Sequence, residues 1–197
     1  MNKRNKWKDH YTNQAREEKW LARSVYKLEE IDKKHRLIRP GFRILDLGCY
    51  PGSWSQYCIK RVGKRGEVVG LDIKVPDFIY AKNFRFIEAD ILKLETDRLV
   101  REVGKRDAVI SDLAPKTMGI SLVDTSQSLA LAEKALEIAL AVLDEKGHFL
   151  CKVFEGEDFK AFRDKVSGCF CQIKILKPSA VRKKSREVYL LGLRLVK

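Results

Sequence analysis

Residues 43–54, with the sequence RILDLGCYPGSW, decide the fold that we expect for this chain. Five residues of strand character run directly into a turn that contains Gly48, Pro51 and Gly52, and a helical pattern starts near Ser53. Glycine allows backbone to approach a ligand closely, and the start of a helix offers unpaired N–H groups. The stretch therefore predicts the ligand-binding turn of an open parallel sheet.

Strand and helix patterns alternate along most of the chain. Strands are predicted at 43–47, 67–72, 84–88, 107–111 and 147–153, and helices at 53–62, about 94–103, 126–144 and 157–167. Such alternation implies right-handed crossovers and a parallel sheet that is covered on both faces. Two further strands, 169–176 and 187–195, have no helix between them, so the last should run antiparallel. The sequence predicts a Rossmann-like α/β fold with a seven-stranded, mostly parallel sheet.

The N-terminal part of the chain is polar and basic. We predict a flexible basic arm over residues 1–11 and one helix from Thr12 to about His35, because apolar residues recur there at helical spacing. A chain of 197 residues is long enough for one domain with a substantial core, so we expect a single domain over residues 1–197.

Composition excludes several classes of protein. The sequence has no apolar run near 18 residues, so we expect neither a membrane span nor a secretory signal, and a cytoplasmic protein. We also expect a monomer. Its five cysteines form no CxxC pair and its three histidines are scattered, which argues against a disulfide framework and against a metal site.

The net charge of +13 comes from the two ends of the chain. Residues 1–39 hold 12 Lys/Arg against 6 Asp/Glu, residues 174–197 hold 8 against 1, and the middle holds 20 of each. Clustered cations favour a partner made of phosphates, because they release condensed counterions. The alternatives are solubility or an anionic membrane surface, and we favour nucleic acid because no strongly amphipathic basic helix with an aromatic face accompanies the charge. The candidate RNA-binding residues are Lys3, Arg4, Lys6, Lys8, Arg16, Lys19, Arg23, Arg182, Lys183, Lys184 and Arg186.

The glycine turn fits a nucleoside better than a dinucleotide. A dinucleotide fingerprint is GxGxxG, whereas here Gly48 and Gly52 enclose Cys-Tyr-Pro, and proline lacks an N–H donor for a pyrophosphate. Asp72 ends the second strand, where a carboxylate can accept hydrogen bonds from ribose hydroxyls. Asp90 follows the third strand, within reach of an adenine amino group. Each acid alone could equally be a cap or a turn residue, but together they predict an adenosine pocket.

The motifs of the chain resemble those of the FtsJ/RrmJ-type RNA 2'-O-ribose methyltransferases. The resemblance begins with DLGCYPGSWSQY at 46–57 and ARSVYKLEEID at 22–32. It continues, in the family's order, with SDLAP at 111–115, CKVFEGE at 151–157 and SREVYLL at 185–191. Tyr50 and Ser53 are larger than the residues usual in the family's turn.

The resemblance implies a methyltransferase fold, S-adenosyl-L-methionine as cofactor, and a catalytic tetrad of Lys27, Asp112, Lys152 and Glu187. It points first to a uridine of large-subunit (23S-type) ribosomal RNA, with transfer RNA or another RNA as the alternative. The turn and the resemblance together give the cofactor-binding candidates Asp46, Gly48, Pro51, Gly52, Trp54, Asp72, Asp90 and Asp112.

The chemistry agrees with this set of residues. A ribose hydroxyl is a poor nucleophile until its proton leaves, so a base or an orienting group is needed. Lys152 is the candidate, either as a base with a lowered pKa or as a residue that orients the hydroxyl while the proton leaves late. Residues 112–115 read DLAP and lack the second proline and the aromatic residue of enzymes that methylate exocyclic amines, which favours a ribose oxygen.

Two other classes of function remain open. A nucleotide-dependent oxidoreductase could use the same type of sheet, although the glycine spacing opposes it. A non-catalytic RNA-binding protein could keep the pocket without the activity, although the complete tetrad argues against it.

Overall fold

A seven-stranded sheet organises the chain. The computed structural model describes residues 3–77, 80–115 and 121–196, with side chains for 10–77, 80–115 and 122–196. The strands are β1 Arg43–Leu47, β2 Glu67–Asp72, β3 Phe84–Glu88, β4 Arg106–Ser111, β5 Leu143–Phe154, β6 Phe170–Leu176 and β7 Glu187–Leu195. The helices are α1 Lys3–Glu17, α2 Val25–His35, α3 Ser53–Val62, α4 Thr96–Val103, α5 Ser121–Val142 and α6 Phe159–Ser167, with a 3₁₀ turn at Gly63–Arg65.

The strand order is β3-β2-β1-β4-β5-β7-β6. Strands β1 to β5 pair in parallel, and β7 runs antiparallel to both β5 and β6. The predicted mostly parallel sheet with an antiparallel last strand is confirmed. Strand order reverses between β1 and β4, so the glycine turn that follows β1 lies at the switch point, where ligands bind in such sheets.

The apolar core has two layers, one on each face of the sheet. Successive strand residues point to opposite faces, so Ile44 packs in one layer and Leu45 in the other. The first layer includes residues of α2 and α3, and the second includes residues of α4, α5 and α6. The prediction of helices on both faces is confirmed. No helix in the described parts of the chain is long and apolar enough to cross a bilayer.

The prediction of one helix over residues 12–35 is wrong. Residues 3–17 form α1, where a flexible arm had been predicted for residues 1–11, and a turn separates α1 from α2. Lys19 has a φ of 59°, in the left-handed region, and the N–H of Leu21 bonds to Oε1 of Gln56 in α3. The backbone can leave the helix at Lys19 because the side chain of Gln56 satisfies the N–H group of Leu21.

The carboxylate of Asp32 fixes α2 against α3. It is 1% exposed, and it accepts hydrogen bonds from the N–H of Ile38, the hydroxyl of Tyr57 and the guanidinium of Arg61. Three donors compensate for the burial of this charge, which would otherwise be costly. The contacts hold α2 in place, and α2 carries Lys27 to the site described next.

Candidate active site

The sheet register brings Asp112 and Lys152 together. In the β4–β5 ladder Ser111 lies opposite Cys151, so the residues that follow each of them, Asp112 and Lys152, are neighbours. Nζ of Lys152 lies 3.0 Å from Oδ1 of Asp112 and donates to the backbone oxygen of Asp112 across 2.5 Å. The side chain of Lys152 is 6% exposed and that of Asp112 is 17% exposed. The two residues form a largely enclosed ion pair at the carboxyl edge of the sheet.

Lys27 and Glu187 form a second ion pair beside the first. Their Nζ and Oε1 atoms are 2.7 Å apart, and the side chains are 13% and 15% exposed. Two contacts fix the start of α2, because Ser24 and Ser53 share a hydrogen bond of 2.9 Å and the indole of Trp54 donates to the carbonyl of Ser24. These contacts place Lys27 over the start of β7, where Glu187 is the first residue.

Tyr189 joins the two ion pairs. Its hydroxyl lies 2.6 Å from Oδ1 of Asp112 and 3.2 Å from Oε1 of Glu187, and its side chain is fully buried. The hydroxyl has a single proton, which it can donate to one carboxylate at a time. We did not predict Tyr189 from the sequence. The signal was present, since Tyr189 follows Glu187 by two positions and residues at that spacing share one face of a strand.

The four predicted catalytic residues, two lysines and two carboxylic acids, therefore surround one tyrosine hydroxyl. Burial lowers the pKa of Lys27, but the carboxylates of Asp112 and Glu187 offset burial, so its pKa is raised. Burial raises the pKa of Asp112, but Lys152 and Lys27 overcome that effect and its pKa is lowered. Asp112 is thus an anion and Lys27 a cation at neutral pH.

The glycine turn lies next to this cluster. Gly48 has a φ of 78°, and its N–H bonds to the carbonyl of Leu71 in β2. A Cβ at Gly48 would come within 2.7 Å of the side chain of Leu113, the neighbour of Asp112. Gly52 has a φ of 119° and precedes α3, whose first N–H groups have no carbonyl partner within the helix. The peptide between Tyr50 and Pro51 is cis. The turn therefore faces the loop that carries Asp112, with the N–H groups of Gly48, Cys49 and Tyr50 already bonded within the protein and those at the start of α3 left for a ligand.

Two of the cofactor-binding candidates have buried side chains. Asp46 is 0% exposed, accepts a hydrogen bond from Ser55 on Oδ2, and has no hydrogen-bond partner for Oδ1. Burial raises its pKa to about 7, against the effect of Ser55. Trp54 is 2% exposed, and its ring lies 5.9 Å from that of Tyr189. The side chain of Trp54 thus packs in the core against Tyr189. Only its backbone N–H, in the first turn of α3, remains as a possible donor to a cofactor.

The two predicted adenosine acids lie at successive strand ends. Asp72 ends β2 and accepts the N–H groups of Tyr50 and Lys74, each at 3.0 Å. The ring of Tyr50, large for this turn, lies under Nζ of Lys74. Asp90 follows β3, accepts the N–H of Leu92 and is 40% exposed. Both carboxylates keep unused lone pairs for ligand hydroxyl or amino groups.

The predicted RNA-binding cations divide into three sets. The backbone of Lys3, Arg4, Lys6 and Lys8 lies in α1, but their side chains are outside the described residues. Arg16, Lys19, Arg182, Lys183, Lys184 and Arg186 are exposed. Arg23 is partly buried, its NH1 has no hydrogen-bond partner, and burial lowers its pKa together with the nearby charge of Arg182, whereas Glu187 raises it. Arg23 therefore connects the basic residues with the tetrad.

Metal-binding side chains do not cluster in the described ranges. Within them, no group of three or more His, Cys, Asp or Glu side chains is arranged to hold a metal ion.

Comparisons with known proteins agree with this geometry. A family model described as FtsJ-like methyltransferase matches residues 20–195. A ribosomal RNA large subunit methyltransferase E from Desulfatibacillum aliphaticivorans is 47% identical over 190 residues, covering 96% of this chain and 91% of the relative. A protein of the same name from Bdellovibrio bacteriovorus is 44% identical over 189 residues, with 94% and 96% covered.

A solved structure is also similar. A Plasmodium falciparum protein that is assigned as a ribosomal RNA methyltransferase aligns with a TM-score of 0.80 at 28% identity, covering 89% of this chain and 98% of that chain. The family match favours methyl transfer over the oxidoreductase alternative. Because the family model spans most of the sequence and both curated relatives align along nearly their whole lengths, this chain belongs to the FtsJ-like methyltransferase family and is an enzyme of that class.

Proposed function

We propose that this chain is an S-adenosyl-L-methionine-dependent RNA methyltransferase that methylates a ribose 2'-hydroxyl, first of all that of a uridine in large-subunit ribosomal RNA. The observation that carries the proposal is the convergence of Lys27, Asp112, Lys152 and Glu187 beside the glycine turn. The names of the relatives support ribosomal RNA as the substrate.

The residues around the turn suit an adenosine cofactor. Asp72 would accept hydrogen bonds from the ribose hydroxyls, and Asp90 would accept one from the adenine amino group. The backbone at Gly48 and Gly52, which carries no side chains, would lie against the rest of the cofactor. Two observations support this fit: the carboxylate of Asp72 retains acceptor capacity beyond its two backbone bonds, and Gly48 has no room for a side chain. When bound, the cofactor supplies an electrophilic methyl group on a sulfonium. Asp112 would place a negative charge near that cation.

Lys152 would meet the acceptor hydroxyl. Two of its N–H groups point at oxygens of Asp112, which leaves one position on the nitrogen for the substrate. In a neutral amine that position is a lone pair that takes the proton, and in an ammonium it is an N–H that orients the hydroxyl. Lys27, held by Glu187, would add positive charge beside the developing alkoxide.

The exposed cations would hold RNA through its phosphates. They lie on α1, on the turn after it and on the β6–β7 loop, and α1 and this loop meet where the hydroxyl of Tyr11 lies 3.4 Å from that of Ser179. Phosphate contacts position a strand without reading its sequence. We further propose that residues 1–197 form a single domain that acts as a metal-free monomer in the cytoplasm.

Transfer of labelled methyl from S-adenosylmethionine to large ribosomal subunits, or to their RNA, tests the function. Wild type should label RNA, and nuclease digestion should give a 2'-O-methylated nucleotide. Lys152→Ala should lose transfer by at least about 100-fold while S-adenosylmethionine affinity stays within about twofold, because general acid–base groups contribute about that much. Label recovered in a base, or in protein, would contradict the ribose assignment.

Lys152→Arg separates the two roles of Lys152. Arginine keeps a cation that can orient the hydroxyl, but it does not act as a base at neutral pH. A single-turnover rate close to wild type would rule out the basic amine, whereas a rate as low as that of Lys152→Ala would support it.

A further inference from the structure

The β6–β7 loop, residues 177–186, is held by helix α2 at both of its ends. Near its start, Oε2 of Glu30 accepts the N–H of Ser179 at 2.7 Å and the hydroxyl of Ser179 at 2.6 Å. Directly after its end, Glu187 pairs with Lys27 at 2.7 Å. Lys27 and Glu30 are three positions apart and therefore lie on the same side of α2. One face of α2 thus binds both Ser179 and Glu187, which are eight residues apart in the chain.

Four exposed cations of the loop lie between these two points. They are Arg182, Lys183, Lys184 and Arg186. Before them, Ala180 and Val181 are 3% and 5% exposed in the core layer that contains α2. The loop is folded back on itself, since Nζ of Lys177 donates to the carbonyl of Ser185. Glu30 therefore binds a segment whose conformation determines the positions of these cations.

Ser179 also reaches the first helix. Its hydroxyl donates to Glu30, and the hydroxyl of Tyr11 in α1 lies 3.4 Å from it. Three basic segments, namely α1, α2 and the loop, thus meet at one serine. The carboxylate is well suited to the task, because its hydrogen bonds to Lys34 and Ser179 keep the pKa of Glu30 low in spite of burial, and an anion accepts stronger hydrogen bonds.

We propose that Glu30 is a positioning residue for RNA: through Ser179 it fixes the β6–β7 loop on the Lys27 helix, so that the loop cations and the tetrad engage one RNA strand together. This inference rests on the proposed RNA methyltransferase function. Under this proposal the acidic residue Glu30 strengthens the binding of RNA, whereas its negative charge alone would weaken it.

A neighbouring residue provides a matched control. Glu29 lies on the same helix and pairs with Lys33 at i,i+4, just as Glu30 pairs with Lys34, but none of its described contacts is with the loop. Glu29→Ala and Glu30→Ala each remove one negative charge. On charge alone, each variant should bind RNA at least as tightly as wild type does.

The test measures the affinity of each variant for transcribed large-subunit ribosomal RNA over a range of salt concentrations. Glu30→Ala should bind about 5- to 10-fold more weakly, with a salt slope that is flatter by about 0.7 for each phosphate that the loop cations no longer neutralise. Glu29→Ala should bind as tightly as wild type or more tightly. In steady-state methylation, Glu30→Ala should raise the KM for RNA and leave kcat nearly unchanged, and its S-adenosylmethionine affinity should equal that of wild type.

Two further measurements guard against a trivial folding defect. Ser179→Ala, an exposed change on the other side of the contact, should weaken RNA binding in the same direction, and adding it to Glu30→Ala should cause little further loss. Limited trypsin digestion of the free protein should cut the loop at Arg182–Lys184 faster in Glu30→Ala than in Glu29→Ala. Glu30→Gln, which keeps an acceptor oxygen, should recover part of the affinity.

The outcomes separate the two proposals. If wild type binds and methylates RNA but Glu30→Ala and Glu29→Ala behave alike, the positioning role is overturned and the proposed function stands. If wild type neither binds nor methylates RNA, the proposed function fails, and the role of Glu30 in RNA binding fails with it.

Discussion

The hydroxyl of Tyr189 lies 2.6 Å from Oδ1 of Asp112, inside a cluster that contains both lysines of the tetrad. Asp112 already has Lys152 at 3.0 Å. The same carboxylate oxygen thus meets an amine and a phenol, and the phenol also lies near Glu187. The tyrosine sets the orientation of Asp112, and through it the position of the Lys152 amine.

Tyr189→Phe should slow methyl transfer by about 10- to 150-fold, because a hydrogen bond to a charged group contributes roughly 1.5 to 3 kcal/mol. Burial, followed by Asp112 and Glu187, raises the pKa of Tyr189 far above neutrality, so the hydroxyl stays a donor throughout the assay range. The change keeps the ring that packs on Trp54, so S-adenosylmethionine affinity should stay within about twofold. Single-turnover rates and a binding titration check both expectations.

Tyr57→Phe is the control for this experiment. It also removes a buried tyrosine hydroxyl, but one that is bonded to Asp32. It should lower the free energy of unfolding and leave the single-turnover rate unchanged. Equal rates for Tyr189→Phe and wild type would show that the bridge to Asp112 is dispensable.

Gly48→Ala should damage cofactor binding and folding together. Alanine at a φ of 78° costs about 1 to 2 kcal/mol, and its Cβ would also meet Leu113 at 2.7 Å. Gly104→Ala is the matched control, because Gly104 has a φ of 67° but nothing within 4 Å of an added Cβ. Isothermal titration with S-adenosylmethionine should show an affinity at least about tenfold lower for Gly48→Ala, because a loss of about 1.4 kcal/mol in binding free energy is tenfold in affinity. The affinity of Gly104→Ala should equal that of wild type. Equal effects of the two variants would mean that close packing at Gly48 is unimportant.

Asp32→Ala should destabilise the protein by about 3 kcal/mol, because it leaves buried donors unpaired and a guanidinium without its anion. The Arg61 side chain is 47% exposed, so the loss should come mainly from the N–H of Ile38 and the hydroxyl of Tyr57. Denaturant unfolding measures the change. Glu29→Ala, a change of an exposed ion pair on the same helix, should stay within about 0.5 kcal/mol of wild type. A similarly small effect of Asp32→Ala would contradict the proposed tie between α2 and α3.

The sequence was most informative where the determinants are local. Residues 43–47 and 67–72 are strands with the predicted bounds, because short apolar runs between turn residues form buried strands. The four tetrad residues also lie together, as the motif resemblance implied.

The misses depend on contacts between distant segments. The break between α1 and α2 occurs at Lys19, without glycine or proline, and rests on tertiary contacts such as that of Leu21 with Gln56. A helical pattern cannot reveal a competing partner 35 residues away. The use of Trp54 depends on such contacts too: we predict it to bind the cofactor, and its indole donates a hydrogen bond to the carbonyl of Ser24. Distinguishing such uses requires knowing which face of α3 is covered.

Asp46→Asn should change the pH dependence of stability. Burial, helped by the nearby carboxylates Asp112 and Asp72, raises the pKa of Asp46 from 3.8 to about 7 in spite of the hydrogen bond from Ser55, which lowers it. The folded protein therefore keeps a proton that the unfolded chain releases between pH 3.8 and about 7. Since the folded state binds more protons in this window, the contribution of Asp46 to stability falls as pH rises, and the full penalty is present above pH 7.

Asparagine cannot ionise, so the free energy of unfolding of Asp46→Asn minus that of wild type should grow between pH 4 and pH 8. A pKa shift of this size corresponds to a change of up to about 4 kcal/mol. Titrations of all other groups are common to both proteins and cancel in the difference. Denaturant unfolding of both proteins at several pH values measures it. A difference that stays constant over the range would mean that the orphan oxygen of Asp46 finds a proton donor in solution, and that the carboxylate is ionised at the base of the cofactor turn.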